Sequence, residues 1–224
     1  MPMPYSHYVL AQSIADRAEL AIADASGYYV GAFYPDVRYF TKLPRERYHF
    51  PSGELEEVTA GTDTSSDFLL GYKVHLLIDE VWEEPEIARN YKDAFPRLIR
   101  GRLTRGLQAL AFEMYCLRVP TRVVDLQPVE NDLTRFLGVE RAHTDQAVAS
   151  MQRYLRQHDL AAALEMAKET ELFPEARLRT VEGVVSRLKN PFLRAPANAV
   201  VARAARPTFE RVVNAVVGRL GVRA

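Results

Sequence analysis

Two side chains within an apolar run are placed to act together chemically. His75 and Asp79 lie four residues apart in the run Phe68–Trp82 (FLLGYKVHLLIDEVW), so a helix would carry them on one face, one turn apart. A helix that is apolar on most sides is expected to be buried. A buried aspartate is costly unless its charge is compensated, and either a metal ion or a plain His–Asp hydrogen bond would compensate it.

Three more candidate ligands precede this run. His7 lies in the first turn of a predicted helix, Asp36 follows a proline within an aromatic cluster, and His49 ends a short charged segment. For Asp36 the alternative is a turn or helix cap. Three imidazoles and two carboxylates suit one or two divalent ions such as zinc. Such an ion lowers the pKa of a bound water and polarises a phosphoryl oxygen, which suits hydrolysis.

These residues resemble a known family. The dipeptide Ser6-His7, the element GAFYPDV, a histidine at His49, and FLLGYKVHLLID, which is similar to an FxxGxxxHxxxD helix, resemble the zinc-dependent phospholipase C family. That family shares its fold with the S1/P1 nucleases. The resemblance is confined to the first eighty of 224 residues. It implies a zinc-dependent hydrolase of phosphoesters and a multi-helix bundle with the metal site between N-terminal helices.

The resemblance also implies roles for individual residues. The implied metal ligands are His7, Asp36, His49, His75 and Asp79. Asp79 would bridge two ions, with His7 on one ion and the other three ligands on the second. Asp36 would double as the catalytic base for the attacking water.

The chain departs from the family after this helix. Family members carry further histidines and a glutamate that form a third metal site, whereas EVWEEPEIARNY contains no histidine. Glu83, four residues past Asp79, could face the site or be an acid on the helix surface. We therefore expect one or two ions at most. A non-catalytic helical protein that retains the fold and a structural metal remains an alternative.

Helical spacing of apolar residues predicts an all-α protein. The segment 27–40 carries Gly27, Gly31 and Pro35, which predict a turn-rich connection instead of a helix. Ser66 or Asp67 is expected to cap the helix that follows. Helices are predicted at Tyr5–Ala25, Phe68–Glu84, Ile87–Ala94, Pro96–Leu117, Val129–Leu137, Arg141–His158, Leu160–Glu169, Ala176–Leu188, Ala197–Ala205 and Thr208–Leu220.

Charge is distributed unevenly along the chain. The 29 basic and 29 acidic residues cancel, which argues against a nucleic-acid binder. From Arg177 onward there are ten basic residues and only two acidic ones, Glu182 and Glu210. This part therefore carries +8 and the remainder −8. We predict a helical metal-binding domain over residues 1–175 and a basic helical C-terminal extension over 176–224 that packs on it. The alternative is that the basic helices bind an anionic membrane surface.

The remaining signals bear on location and partners. The N-terminus lacks the pattern of a signal peptide and no run is long enough to span a membrane, so a cytoplasmic protein is expected. The single cysteine, Cys116, excludes an intrachain disulfide and is expected in the core. The expected partner is a phosphoester small molecule or a phospholipid substrate, and a membrane surface is the alternative partner of the basic helices. Three arginines near the candidate ligands could hold a phosphate or be solvated: Arg38, Arg45 and Arg47.

Overall fold

The computed structural model describes residues 4–60, 64–97, 105–169 and 175–221, and every regular element in these ranges is helical. The all-α prediction is therefore confirmed for this part of the chain. The α-helices are α1 (Pro4–Arg17), α2 (Ala25–Phe33), α3 (Arg38–Thr41), α4 (Leu55–Val58), α5 (Ser66–Glu83), α6 (Pro85–Asp93), α7 (Arg105–Cys116), α8 (Asp132–Phe136), α9 (Arg141–Gln157), α10 (Leu160–Glu169), α11 (Glu175–Leu188) and α12 (Pro191–Arg219).

The prediction of a turn-rich connection at residues 27–40 is wrong in its first part. Helix α2 begins after Asp24, whose side chain accepts a hydrogen bond from the Gly27 amide at 2.9 Å. The two glycines of this helix do not break it, because Gly31 lies where α2 crosses α5 and close packing requires a residue without a side chain. Helix α1 is correspondingly shorter than predicted and ends at Arg17, before Glu19 adopts a left-handed conformation with φ of 49°.

Helix α5 ends as predicted but begins differently. Its N-cap is Ser65, and the expected capping residue Asp67 contacts another element. The Asp67 carboxylate accepts hydrogen bonds from the backbone amides of Ala23 and Asp24 at 2.9 and 2.6 Å. Pro85 occupies the first turn of α6. A backbone N–H at this position would have no acceptor within the helix, so proline is tolerated there. Asp67 thus ties the start of α5 to the start of α2.

The two C-terminal helices predicted from the sequence form one. After α11 the chain resumes a helix at Pro191, and α12 then continues through Pro196 and Pro207. A proline leaves the carbonyl four residues earlier without its helical donor, and here those residues, Phe192 and Arg203, are exposed to water. The part of the predicted helix 96–117 at residues 98–104 lies outside the described residues.

Helix α12 packs against α1, α5 and α7, and the apolar residues of its second half belong to the same hydrophobic cluster as theirs. Ion pairs join it to acidic residues of the preceding chain. Arg211 lies 3.1 Å from Glu86, and Arg219 lies 3.7 Å from Glu80. Such exposed pairs add little stability, so the buried apolar contacts hold the basic helix in place.

Within the described ranges, no helix is both long enough and apolar enough to cross a membrane.

Candidate metal centre

The five candidate ligands converge on one buried cluster. His7 comes from α1, Asp36 from the 3-10 turn that follows α2, His49 from the loop before α4, and His75 and Asp79 from α5. Their side chains are at most 5% exposed. Two overlapping groups each have donor atoms within 4.8 Å of one another: His7, His75 and Asp79, and Asp36, His49 and His75.

His75 has its ring orientation set by the close packing of α2 on α5. Its Nδ1 donates a hydrogen bond to the Ala32 carbonyl at 2.8 Å, since a carbonyl can only accept. Neutral His75 therefore presents the lone pair of Nε2 to the cluster. Burial, and after it the nearby His7, lower the pKa of His75 to about 3, so the ring stays neutral. A backbone carbonyl on the remote nitrogen is the usual support of a metal-binding histidine.

His7 lies between the two carboxylates. Its Nε2 is 3.1 Å from Asp79 Oδ1 and its Nδ1 is 3.4 Å from Asp36 Oδ2. Burial lowers the pKa of His7, but the contacts with Asp36 and then Asp79 outweigh burial and raise it to about 9. Its ring stacks on His75 with 3.9 Å between centroids. In the metal-free protein a protonated His7 thus balances part of the negative charge.

The Nε2 atom of His49 also lies within the cluster. Its Nε2 lies 3.1 Å from His75 Nε2 and 3.3 Å from Asp79 Oδ2. The lone pair of His75 Nε2 can accept a hydrogen bond from the N–H at His49 Nε2, or both nitrogens can present lone pairs to one cation. Three imidazoles and two carboxylates around one point is a donor set that zinc favours.

Asp36 provides the test of whether a cation fits. Asp36 is 3% exposed, and neither of its carboxylate oxygens accepts a hydrogen bond from any residue that the structure describes. Burial raises its pKa, but the contact with protonated His7 outweighs burial and keeps the pKa below its usual value, so Asp36 is ionised. A buried carboxylate without hydrogen bonds is unfavourable unless a cation compensates it. Protonated His7 does so in part from 3.4 Å, and a divalent ion bound to the Asp36 oxygens would do so more fully. The residues present therefore fit a divalent ion.

Among the arginines considered for phosphate, Arg45 contacts a candidate ligand directly. It donates to Asp79 Oδ2 at 3.0 Å and to Glu83 Oε1 at 3.1 Å, and its side chain is 35% exposed. Glu83 is 58% exposed and meets Arg45 at the edge of the site. Arg38 instead lies over the Tyr39 ring, with its guanidinium carbon 3.9 Å from the ring centroid. Arg45 therefore extends from the buried cluster to the protein surface.

Sequence reasoning missed the buried carboxyl of Glu113. It accepts hydrogen bonds from Ser6 Oγ and, at 2.7 Å, from the Tyr154 hydroxyl, and it is fully buried. Burial raises the pKa of Glu113 to about 7, against the lowering effect of these two hydroxyls. Because Ser6 precedes His7, Glu113 holds the helical turn that carries this ligand. An acid inside the apolar segment LQALAFEMYC is the signal that identifies it.

The expectation of a core position for Cys116 is confirmed, and a second His-Asp pair lies outside the cluster. His158-Asp159 lies at a helix end, where the Asp159 carboxylate accepts a hydrogen bond from the Ala162 amide at 2.9 Å and caps α10. The His158 ring contacts the Tyr5 hydroxyl at 2.9 Å and takes no part in the cluster. Cys116 is fully buried, and burial keeps its pKa well above the usual value, so it is a core thiol.

The chain was compared with protein-family models, with curated protein sequences and with solved structures, and it matches none of them. The resemblance of the first eighty residues to the zinc-dependent phospholipase C family therefore depends on the sequence motifs alone.

Proposed function

We propose that this protein is a metal-dependent hydrolase of phosphoesters, with one or two divalent ions, zinc by preference, held between its N-terminal helices in a bundle of the phospholipase C/P1 nuclease type. One observation carries the proposal. Two groups of ligand atoms from four separate chain segments meet at His75, and the carboxylate of Asp36 among them has no hydrogen-bond donor in the described part of the chain.

Each of these residues would have a separate role in such a site. Asp79 contacts both His7 and His49 through different oxygens, as a carboxylate shared between two ions would. His75 keeps Nε2 available because Ala32 holds its other nitrogen. Asp36 is the candidate base because its oxygens remain available to accept a proton from water. A bound zinc ion would supply a water of lowered pKa and polarise the phosphoryl oxygen.

Arg45 supports an anionic substrate. The cavity beside Asp36 has a volume of only about 10 Å³, room for one water and too small for a phosphoester. A phosphoester would approach instead at the edge formed by Arg45 and Glu83, where the guanidinium is partly exposed. A guanidinium suits phosphate because its planar N–H donors match two phosphate oxygens.

Element analysis combined with an activity screen tests the proposal. The protein, purified without added metal, is expected to contain close to one or two equivalents of zinc, iron or manganese. It should hydrolyse a phosphodiester, a phosphomonoester or a phospholipid. His75→Ala should lose both metal and activity, whereas His143→Ala, which changes a histidine outside the cluster, should retain both. Metal content well below one equivalent that is the same in both variants would refute the site.

A structural metal is the second candidate, and the burial of the cluster favours it. All five ligand side chains are at most 5% exposed, whereas a catalytic zinc keeps one position open to water or substrate. In that case the protein would bind metal in full stoichiometry, unfold more readily when the metal is chelated, and turn over none of the three substrate types.

A further inference from the structure

A second cavity, with apolar walls and none of the five candidate ligands, lies between α7, α11 and the first half of α12. Its volume is about 570 Å³, within the range of sites for small organic ligands. Among the residues that the structure describes, Arg187 is the one charged residue in its wall. Apolar residues of the wall include Leu110, Met114, Leu188, Pro196, Ala197 and Val200.

The apolar wall continues onto an exposed helix end. Phe192 and Leu193 each lie one helical turn before a residue of the cavity wall, Pro196 and Ala197 respectively. Phe192 is 87% exposed and Leu193 is 49% exposed, although large apolar side chains are usually covered. One strip of α12 therefore leads from the solvent into the cavity.

Three basic residues belong to the cavity wall or to the chain segment next to it. Arg187 lies in the cavity wall, and Lys189 and Arg194 belong to the segment between the wall residues Leu188 and Pro196. In the described part of the chain, none of these three cations has a carboxylate within ion-pair distance. By contrast, arginines further along α12, such as Arg211 and Arg219, are paired with acidic residues of the preceding chain.

We propose that this cavity binds the hydrocarbon chain of a single-chain anionic amphiphile, of the long-chain fatty acid class, with the carboxylate at Arg187. The apolar wall suits a hydrocarbon chain, and burying each methylene contributes about 0.8 kcal/mol. Arg187 favours a carboxylate head group, because a guanidinium can donate two parallel hydrogen bonds to one carboxylate. The site requires no metal, so this proposal is independent of the hydrolase activity.

Binding of a dansyl-labelled undecanoic acid tests the proposal. Its fluorescence is expected to rise and shift to the blue with saturation on the full chain in the presence of a chelator, and unlabelled dodecanoate should displace it. Ala197→Trp should abolish binding by filling the cavity. Arg187→Glu should weaken dodecanoate about tenfold, or about 1.4 kcal/mol, and leave the neutral competitor dodecanol unchanged. Arg203→Glu, an exposed residue of α12 outside the cavity wall, serves as the matched control and should bind normally.

Several results would overturn the proposal. They are the absence of saturable binding to the unmodified protein, equal affinity in Ala197→Trp and Arg203→Glu, and equal weakening of dodecanoate and dodecanol by Arg187→Glu. Because Arg187 is exposed, its variant should fold, and circular dichroism verifies this for both variants. A flotation assay with phosphatidylcholine–phosphatidylglycerol vesicles distinguishes a membrane surface as the true ligand. If the protein floats with vesicles, loses this in Phe192→Ser and retains it in Ala197→Trp, the cavity proposal is wrong.

Discussion

Gly31 and Gly71 each lie against the backbone of the helix that carries the other, where α2 crosses α5. A Cβ atom on Gly31 would lie 2.1 Å from the carbonyl oxygen of Phe68, and one on Gly71 would lie 1.9 Å from that of Tyr28. These are main-chain atoms, which cannot move aside as the end of a flexible side chain can. The crossing brings α2 close enough for its backbone to orient His75, so two glycines support the geometry of the candidate metal centre.

Gly71→Ala should destabilise the protein by about 3 kcal/mol or more, because overpacking at the crossing outweighs the roughly 1 kcal/mol that alanine contributes to a helix. Gly183→Ala is the matched control, since Gly183 lies within α11 and a Cβ there would meet nothing within 4 Å. It should be neutral or stabilising by up to about 1 kcal/mol. Urea unfolding measures both, and equal stabilities would show that the helices do not need this contact.

Chelation should lower the melting temperature of the unmodified protein. An ion at a thousandfold excess over its Kd contributes about 4 kcal/mol, which corresponds to roughly 10 °C in a chain of this size. Asp36→Asn should remove most of this shift, because it removes a ligand and its charge. Asp67→Asn changes a buried acid outside the cluster and should keep the full shift. Equal shifts in the two variants would exclude Asp36 as a ligand.

The metal-free protein should lose stability as the pH rises from 6.5 to 9. The pKa of His7 is raised to about 9 in the folded protein, so its contribution is fully present below the unfolded value of 6.5 and is lost as the pH passes 9. The loss is on the order of 3 kcal/mol, since each pKa unit is worth about 1.4 kcal/mol. Urea unfolding in chelator across this pH range measures it.

His7→Gln should flatten this pH dependence. The pKa of Glu113, raised to about 7, adds its own loss of stability between its unfolded value of 4.5 and about 7. The slope between pH 8 and 9 therefore reports on His7, and an unchanged slope in His7→Gln would contradict the assignment.

Tyr154→Phe should destabilise the protein by about 1–3 kcal/mol. It removes one of the two hydroxyl donors of the fully buried Glu113 and leaves a carboxylate oxygen without a partner. Tyr115→Phe removes a hydroxyl from a partly exposed tyrosine and should cost less than about 0.5 kcal/mol. Thermal and urea unfolding of both variants compare the effects, and similar losses would mean that Glu113 does not depend on Tyr154.

Arg45→Gln should raise KM about tenfold and change kcat little, if Arg45 binds the phosphoryl group of the proposed substrate. Glu83→Gln removes a carboxylate that contacts Arg45 and keeps the guanidinium, so its KM should stay equal or fall. Steady-state kinetics on whichever phosphoester the screen identifies provide the measurement. A fall in kcat with unchanged KM would instead place Arg45 in support of Asp79.

Local sequence features predicted individual helices well and helix crossings poorly. Helix α5 is predicted because its apolar pattern, the His75–Asp79 spacing and its end before Pro85 all belong to one segment. Helix α2 is missed because glycines commonly mark turns, and only contact with a distant helix explains Gly31. Pro207 is likewise read as an interruption, although burial of the neighbouring residues on α12 keeps the helix continuous.

The sequence by itself determined the helical class and the common face of His75 and Asp79, because both follow from periodicities within a few turns of chain. Only the tertiary structure decided that His7 meets Asp79 across 72 residues, since that contact depends on how closely α1, α2 and α5 pack. It also decided the environment of Asp36. Spacing along the chain cannot report whether a carboxylate keeps water or hydrogen-bond donors, because other segments exclude or provide them.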